Sequence, residues 1–221
     1  MNKDTQRLLK WAAVAVLLIG SFLFIIFSSG EDTSSNDTPE DIEIIVEEGD
    51  WAKGNLEAEN ILVEYSDFQC PACKSRVPIV EQLMGEFGNH IKMVYRHYPL
   101  PMHSNAQLAA QATEAAGLQG KFWEMHDLIF EGQAEWSNLS SSEAESTFSG
   151  YAAILELDLD QFSAALNSSE VEAAVSADAS TGKGLGVNST PTFYFNDQKV
   201  TNTGNYEQFR DFLREEIKGD S

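Results

Sequence analysis

The chain is poor in the residues that build metal sites and nucleic-acid surfaces. Only two of its 221 residues are cysteine and four are histidine, so no second Cys-x-x-Cys is available to complete a thiolate metal site. A mixed site would need His90, His97, His103 or His126 to converge on the one pair from distant parts of the chain. Positive charge is also scarce: 14 Lys and Arg stand against 35 Asp and Glu, a net charge of −21. That balance disfavours nucleic acid and an anionic membrane surface as partners, and suits a protein kept soluble in high salt or outside a cell. No internal repeat is evident, and Asp158 and Asp160 lack the full loop pattern of a calcium site. Wholesale disorder is excluded by what is present, since 43% of the residues are hydrophobic and 10% aromatic, enough for one sizeable core.

The two cysteines lie together. Cys70-Pro71-Ala72-Cys73 follows Ile61-Leu62-Val63, which reads as a buried strand, and precedes apolar residues at 79, 80, 83, 84 and 87. The latter spacing is helical, so the pair sits where a strand ends and a helix begins. A first helical turn offers unpaired N–H groups and the positive end of the macrodipole, and both favour an anion. The thiolate is the nucleophilic form of cysteine, and Cys-x-x-Cys thiols at helix N-termini have lowered pKa values. Cys70 is expected as the exposed, attacking sulfur and Cys73, one turn in, as the resolving one. Pro71 suits the first turn because it lacks the N–H that would remain unpaired there. A structural disulfide and a metal site are the competing readings. The first would close so small a loop that it restricts the unfolded chain little; the second lacks soft ligands.

Residues 1–10 are polar and basic and read as a cytoplasmic N-terminus. Trp11 to Phe27 is uncharged, and 11–28 is expected to be a transmembrane anchor, with Lys10 snorkelling to the interface. A cleaved signal peptide ending at Ser28-Ser29-Gly30 is the alternative, although its apolar run exceeds the usual signal core. No cysteine is present there for a lipid anchor. In either case the remainder is exported, where disulfide chemistry is permitted. Residues 29–41 are polar, acidic and without periodicity, and read as a flexible linker.

Beyond the linker, 42–46 reads as a short first strand and 49–55 as a loop. Ile91 to Tyr98 is a predicted strand ending before Pro99, and His103-Ser104-Asn105 opens a helical block. Within that block 133–149 is expected to be loop with a short helix, and Asp160 to cap a helix over 161–167. Thr192 to Phe195 is a β-branched and aromatic strand, Asn196-Asp197 a hairpin turn, and Tyr206 to Lys218 an amphipathic helix. The order implies an α/β protein with a split sheet and a helical insertion.

These residues resemble the DsbA-like thiol–disulfide oxidoreductases. The resemblance rests on Lys53-Gly54-Asn55, Ile61 through Cys73, Tyr95-Arg96-His97-Tyr98-Pro99-Leu100 with His103, Phe122-Trp123-Glu124-Met125-His126, and Gly186-Val187-Asn188-Ser189-Thr190-Pro191-Thr192-Phe193. It covers roughly residues 50–217 in the same order. It implies a thioredoxin-like fold, a central mixed sheet flanked by helices, over 42–103 and 184–218, interrupted by an all-helical insertion at 104–183. It also implies a cis peptide at Pro191, facing the cysteines and turning the Thr190 backbone toward them to pair with an extended substrate. Glu64, six residues before Cys70, takes the place of a carboxylate that relays protons for the buried cysteine. Burial would raise its pKa and fit it for that role. Pro71 and Ala72 fall where substrate passes, but depart from the histidine-bearing dipeptide of strongly oxidising members. Histidines 97, 103 and 126 read as packing or capping residues first and as pH switches second.

The resemblance implies an enzyme outside the membrane that oxidises exported proteins bearing free thiols. Its redox group is the Cys70–Cys73 disulfide itself, without further cofactor or metal. A membrane partner, with a quinone-linked one as a candidate, would reoxidise it. An exported reductase or isomerase, and a non-catalytic peptide-binding module of the same fold, are the alternatives.

Overall fold

The computed structural model describes residues 44–47, 49–201 and 203–219. The N-terminus 1–10, the expected span 11–28, the linker 29–41 and residues 42–43 lie outside the described residues. Among those described, no helix is long and apolar enough to cross a membrane.

Five strands form one mixed sheet: β1 (Trp51–Gly54), β2 (Asn60–Ser66), β3 (Ile91–His97), β4 (Thr192–Phe195) and β5 (Gln198–Val200), in the order β1-β3-β2-β4-β5. β2 and β3 are parallel, as their connection through helix α1 (Pro71–Phe87) requires. The other neighbouring pairs are antiparallel. Both faces of β2 are covered, so its apolar run is nearly continuous. Leu62 packs with Val80, Leu83 and Phe87 of α1 and with Phe209 and Leu213 of α8 (Tyr206–Gly219), whereas Val63 and Tyr65 pack with Val94, Val187 and Tyr194 on the other face.

Between β3 and β4 come α2 (Ala106–Gly117), α3 (Phe122–Glu131), α4 (Gln133–Trp136), α5 (Ser141–Ile154), α6 (Leu159–Leu166) and α7 (Ser169–Gly184). Their apolar residues share one buried cluster with Phe68, Cys70, Cys73 and Tyr95, so the core of the helical block continues into the cysteine site. The alanine stripe of α2 allows that approach: Ala109, Ala112, Ala115 and Ala116 are fully buried. At its end Gly117 lies against the Trp51 ring, where a Cβ would come within 2.4 Å of the indole.

Four expectations need correction. Residues 51–54 form edge strand β1 rather than loop, because Trp51 stacks on Phe122 at 4.3 Å and the segment pairs with β3 from Trp51↔Tyr95 to Gly54↔Lys92. Ile44 to Val46 forms no strand; Arg96 instead holds it, Nη2 donating to the Ile45 carbonyl at 2.7 Å. The serine-rich stretch after residue 132 is mostly helix, since Ala144, Phe148 and Ala152 recur every four residues and are buried. Its start is closed by Glu143, whose carboxylate accepts the Ser140 N–H at 3.0 Å. Finally, the cap of α6 is Asp158, not Asp160: Asp158 Oδ1 accepts the Gln161 N–H at 3.0 Å.

Candidate active site

β2 ends at Ser66, and a three-residue turn delivers Cys70 to the N-cap of α1, with Pro71 in its first turn. The turn is fixed by Asp67, which is fully buried at its side chain. Its Oδ1 accepts the Gln69 N–H at 2.7 Å, and its Oδ2 accepts the Leu100 N–H at 2.8 Å and pairs with His103 Nδ1 at 2.7 Å. The helical block grips the same turn from the other side. Gln133 Nε2 donates to the carbonyls of Phe68 (2.6 Å) and Cys70 (3.0 Å), while Gln69 Nε2 donates to Ser137 O and Gln69 Oε1 accepts the Asn105 N–H, both at 2.7 Å.

The two thiols occupy different environments. Cys73 is fully buried, and its Sγ accepts the Asp67 N–H at 3.4 Å. Cys70 Sγ lies 3.5 Å from the Thr190 carbonyl, to which it donates. Thr190–Pro191 is a cis peptide placed just before β4, which starts opposite Tyr65 near the end of β2. The structure therefore brings Cys70, Cys73 and Thr190 together, with Pro71 and Ala72 exposed beside them and Pro191 half-buried. The expectation of an exposed Cys70 needs correction, since the residue is only 7% accessible, covered by the Thr190 loop and by the helical block.

The hydrogen bond from Cys73, then the N–H groups at the start of α1, pull the Cys70 thiol down to about 5 against the opposing effect of burial. Burial, and then the hydrogen bond to Cys70, push Cys73 far up. The pair therefore carries its negative charge on Cys70 and its proton on Cys73. A thiol that titrates near 8.5 when unfolded but lower when folded binds more protons in the unfolded chain. Its contribution to the stability of the reduced protein is present above the unfolded value and is lost as pH falls through the folded one. Alkylation of Cys70 by iodoacetamide should accordingly reach half its plateau near pH 5; a midpoint near 8.5 would remove the thiolate argument.

Glu64 is buried on β2, opposite Tyr95 on one side and Phe193 on the other. Burial raises its carboxyl to about 7, opposed by the nearby Ser66 hydroxyl and by the Lys53 charge. Lys53, part of the Lys53-Gly54-Asn55 stretch, gains its position from strand β1 rather than from a loop. Burial lowers its ammonium pKa, and its Nζ sits 4.3 Å above the centre of the Trp123 ring. Gln69, Gln133 and Asn105 carry no motif of their own and are visible only once the helical block is folded against the turn. The histidines are placed as packing and capping residues: His97 Nε2 pairs with Glu114 at 2.8 Å and His126 Nδ1 with Asp127 at 2.8 Å, burial lowering the His126 pKa.

A cysteine pair at a helix N-terminus, one sulfur above and one buried, on a sheet interrupted by a helical block, defines a thioredoxin-fold protein. Residues 47–215 match the Thioredoxin family model, and the chain belongs to that family. Among solved structures, a thioredoxin-like oxidoreductase from Silicibacter pomeroyi superposes with a TM-score of 0.65 at 26% identity, over 78% of this chain and 94% of that one. Wolbachia pipientis alpha-DsbA1 gives 0.69 at 19% identity over 80% and 94%, which shows the shared fold. Curated relatives include the Na(+)/H(+) antiporter NhaA 1 of Salinispora arenicola, 40% identical over 159 residues. That match takes in 72% of this chain but only 23% of the relative. The antiporter NhaA of Herminiimonas arsenicoxydans is 33% identical over 92% of this chain and 32% of its own length. The chain thus spans about a quarter to a third of these relatives.

Proposed function

We propose that the protein is a thiol–disulfide oxidoreductase that donates the Cys70–Cys73 disulfide to thiols of exported proteins. The observation carrying this reading is the asymmetry of the pair, with Cys70 held as thiolate and Cys73 as buried thiol. Stabilising the reduced pair makes its disulfide a stronger oxidant. The family membership and the oxidoreductase from Silicibacter pomeroyi support the same chemistry.

In the forward direction a substrate thiolate attacks Cys70 Sγ. The Cys70–Cys73 bond breaks, a mixed disulfide forms, and the electron pair leaves on Cys73, which takes a proton. A second substrate thiolate then attacks the substrate sulfur and expels Cys70 as thiolate. Two substrate thiols become one disulfide, and two electrons remain on the Cys70–Cys73 pair. Glu64, whose carboxyl is raised to about 7, holds or releases a proton near Cys73 at working pH. The Thr190 backbone and the exposed Pro71-Ala72 surface receive an extended peptide. A second redox protein must remove the two electrons. The apolar run 11–28 and the linker 29–41 would hold the domain outside a membrane, beside a membrane-bound and quinone-linked reoxidant.

The deciding measurement is the reduction potential of the pair in the full chain against glutathione buffers. The donor reading expects a value near −120 mV. Pro71-Ala72 gives the thiolate no side-chain hydrogen bond, which is the feature that favours the alternative reductase; a potential near about −270 mV would select it.

A further inference from the structure

Five buried side-chain polar atoms among the described residues have no hydrogen-bond partner, and three of them, Ser66 Oγ, Tyr95 OH and His97 Nδ1, lie on one patch of the sheet. In the parallel register of β2 and β3, Glu64 stands opposite Tyr95 and Ser66 opposite His97. Residues two apart in a strand share a face, so the four side chains make a two-by-two block. Each is at most 5% exposed. Buried polar groups are almost always paired, which makes three orphans in one block a feature in need of a function. Cys73 adjoins it: the Ser66 hydroxyl lowers Cys73, Glu64 and Tyr95 alike, so it lies near all three, yet completes a well-formed hydrogen bond to none.

The block has an exit. His97 Nε2 lies 2.8 Å from Glu114 Oε1, and the same oxygen accepts Trp51 Nε1–H at 2.7 Å. With the indole able only to donate, this network assigns the His97 proton to Nε2. Nδ1, the nitrogen nearer the backbone, is then a bare acceptor facing the strands. Glu114 in turn lines a cavity of about 170 Å³ bounded by Glu47, Asp50, Trp51, Ala174 and Asp178. That cavity shares no residue with the surface at Cys70, Pro71, Ala72, Thr190 and Pro191.

We propose that Ser66, Tyr95 and His97, linked by buried water, form a proton route between the Cys73 sulfur and Glu114 at this cavity. The inference rests on the redox reading above. Its chemical need is plain: Cys73 is fully buried, and a substrate peptide docked on Cys70 closes the near side. The proton that Cys73 gains as a leaving group, or loses when it attacks a mixed disulfide, must travel by another path. One proton moves per mixed disulfide resolved: Cys73 gives it to the block as it attacks, His97 accepts a proton at Nδ1 and releases its Nε2 proton to Glu114, and Glu114 exchanges it with the cavity. Water is the ordinary partner of buried polar atoms that protein leaves unpaired. The charged groups facing the block are Lys53 from β1, Asp67 from the turn, Cys73 from α1, Glu114 from α2, His126 and Asp127 from α3, and Asp178 from α7, whose Oδ2 accepts the His97 N–H at 2.9 Å.

The route is tested in the full chain carrying Tyr95→Phe or Glu114→Gln, both near-isosteric. The mixed disulfide of Cys70 with glutathione is prepared, and its resolution by Cys73 is timed between pH 5 and 9. Removing a proton-transfer group should slow this step by about ten-fold or more at pH 7 and move the inflection of the profile, while the reduction potential of the pair is unchanged. A packing defect would instead lower the rate equally at every pH, which counts against the route. Profiles superimposable on wild type in both variants would overturn it, as would an effect of Tyr95→Phe without one of Glu114→Gln. A wild-type protein that never forms the mixed disulfide overturns the redox reading itself.

Discussion

The Cys70→Ser protein should lose disulfide exchange by at least about a thousandfold, because a serine hydroxyl is not ionised at neutral pH and forms no disulfide. Cys73→Ser should behave differently. Its Cys70 remains at the helix N-terminus beside the Thr190 carbonyl and still attacks a disulfide-bearing protein, forming a mixed disulfide and releasing the other substrate sulfur as thiolate, but nothing within the site resolves it. Non-reducing electrophoresis after incubation with an oxidised substrate should show the trapped adduct for Cys73→Ser and none for Cys70→Ser. Adducts in the reverse pattern would reassign the nucleophile. Full retention of function by Cys70→Ser would select the third reading, a peptide-binding module whose working surface is the Thr190–Pro191 loop alone. The asymmetry matters because it separates roles that the Cys-x-x-Cys spacing leaves equal. Local hydrogen bonding and burial act in opposite directions on two sulfurs one helical turn apart.

Sequence patterns revealed the parts of this fold that depend on short-range rules. The strand before the cysteines, the helix after them and the Thr192–Phe195 strand all follow from runs and periodicities that local sequence carries. The local pattern at β1 reads as loop because Gly49, Asp50 and Gly54 look like turn residues. Its strand character comes from pairing with β3 and from the Trp51–Phe122 stack, across 71 residues of chain. The polar start of α5 looks like loop for a related reason, since only three of its positions are fully buried and most of its first turn is exposed. At the site, the cysteines could be read from their spacing alone. Glu64 and Pro191 were placed by resemblance, and the grip of Gln133, Gln69 and Asn105 on the turn could not be read at all. Amide side chains reveal a role only when a carbonyl is brought to them, and here those carbonyls belong to distant segments.

Arg96→Met should destabilise the folded protein by about 3–5 kcal/mol, a large part of the roughly 5–15 kcal/mol that holds a typical domain together. Arg96 and Asp50 form a bidentate pair at 2.7 and 3.1 Å, with side chains only 5% and 9% exposed. The guanidinium also donates to the Ile45 carbonyl at 2.7 Å and to Tyr65 OH at 3.1 Å. It therefore ties the segment entering β1 to β3 and to the centre of the sheet. Removing the arginine leaves the Asp50 carboxylate, the Ile45 carbonyl and the Tyr65 hydroxyl without this partner, and an uncompensated buried charge is the costly part. Asp50→Asn keeps the shape but loses the charge and should weaken stability less. In the double variant Arg96→Met with Asp50→Asn, the orphaned carboxylate is gone, so its loss should be smaller than the sum of the two single losses. Urea unfolding of the three variants at constant m-value reads these differences directly. A loss below about 1 kcal/mol for Arg96→Met would mean that the pair behaves as a solvent-exposed salt bridge. Ile44 and Val46 would then be held by their packing against the Val63, Tyr65 and Tyr194 cluster and by the Ile44 N–H bond to Asp197 Oδ1 at 2.7 Å.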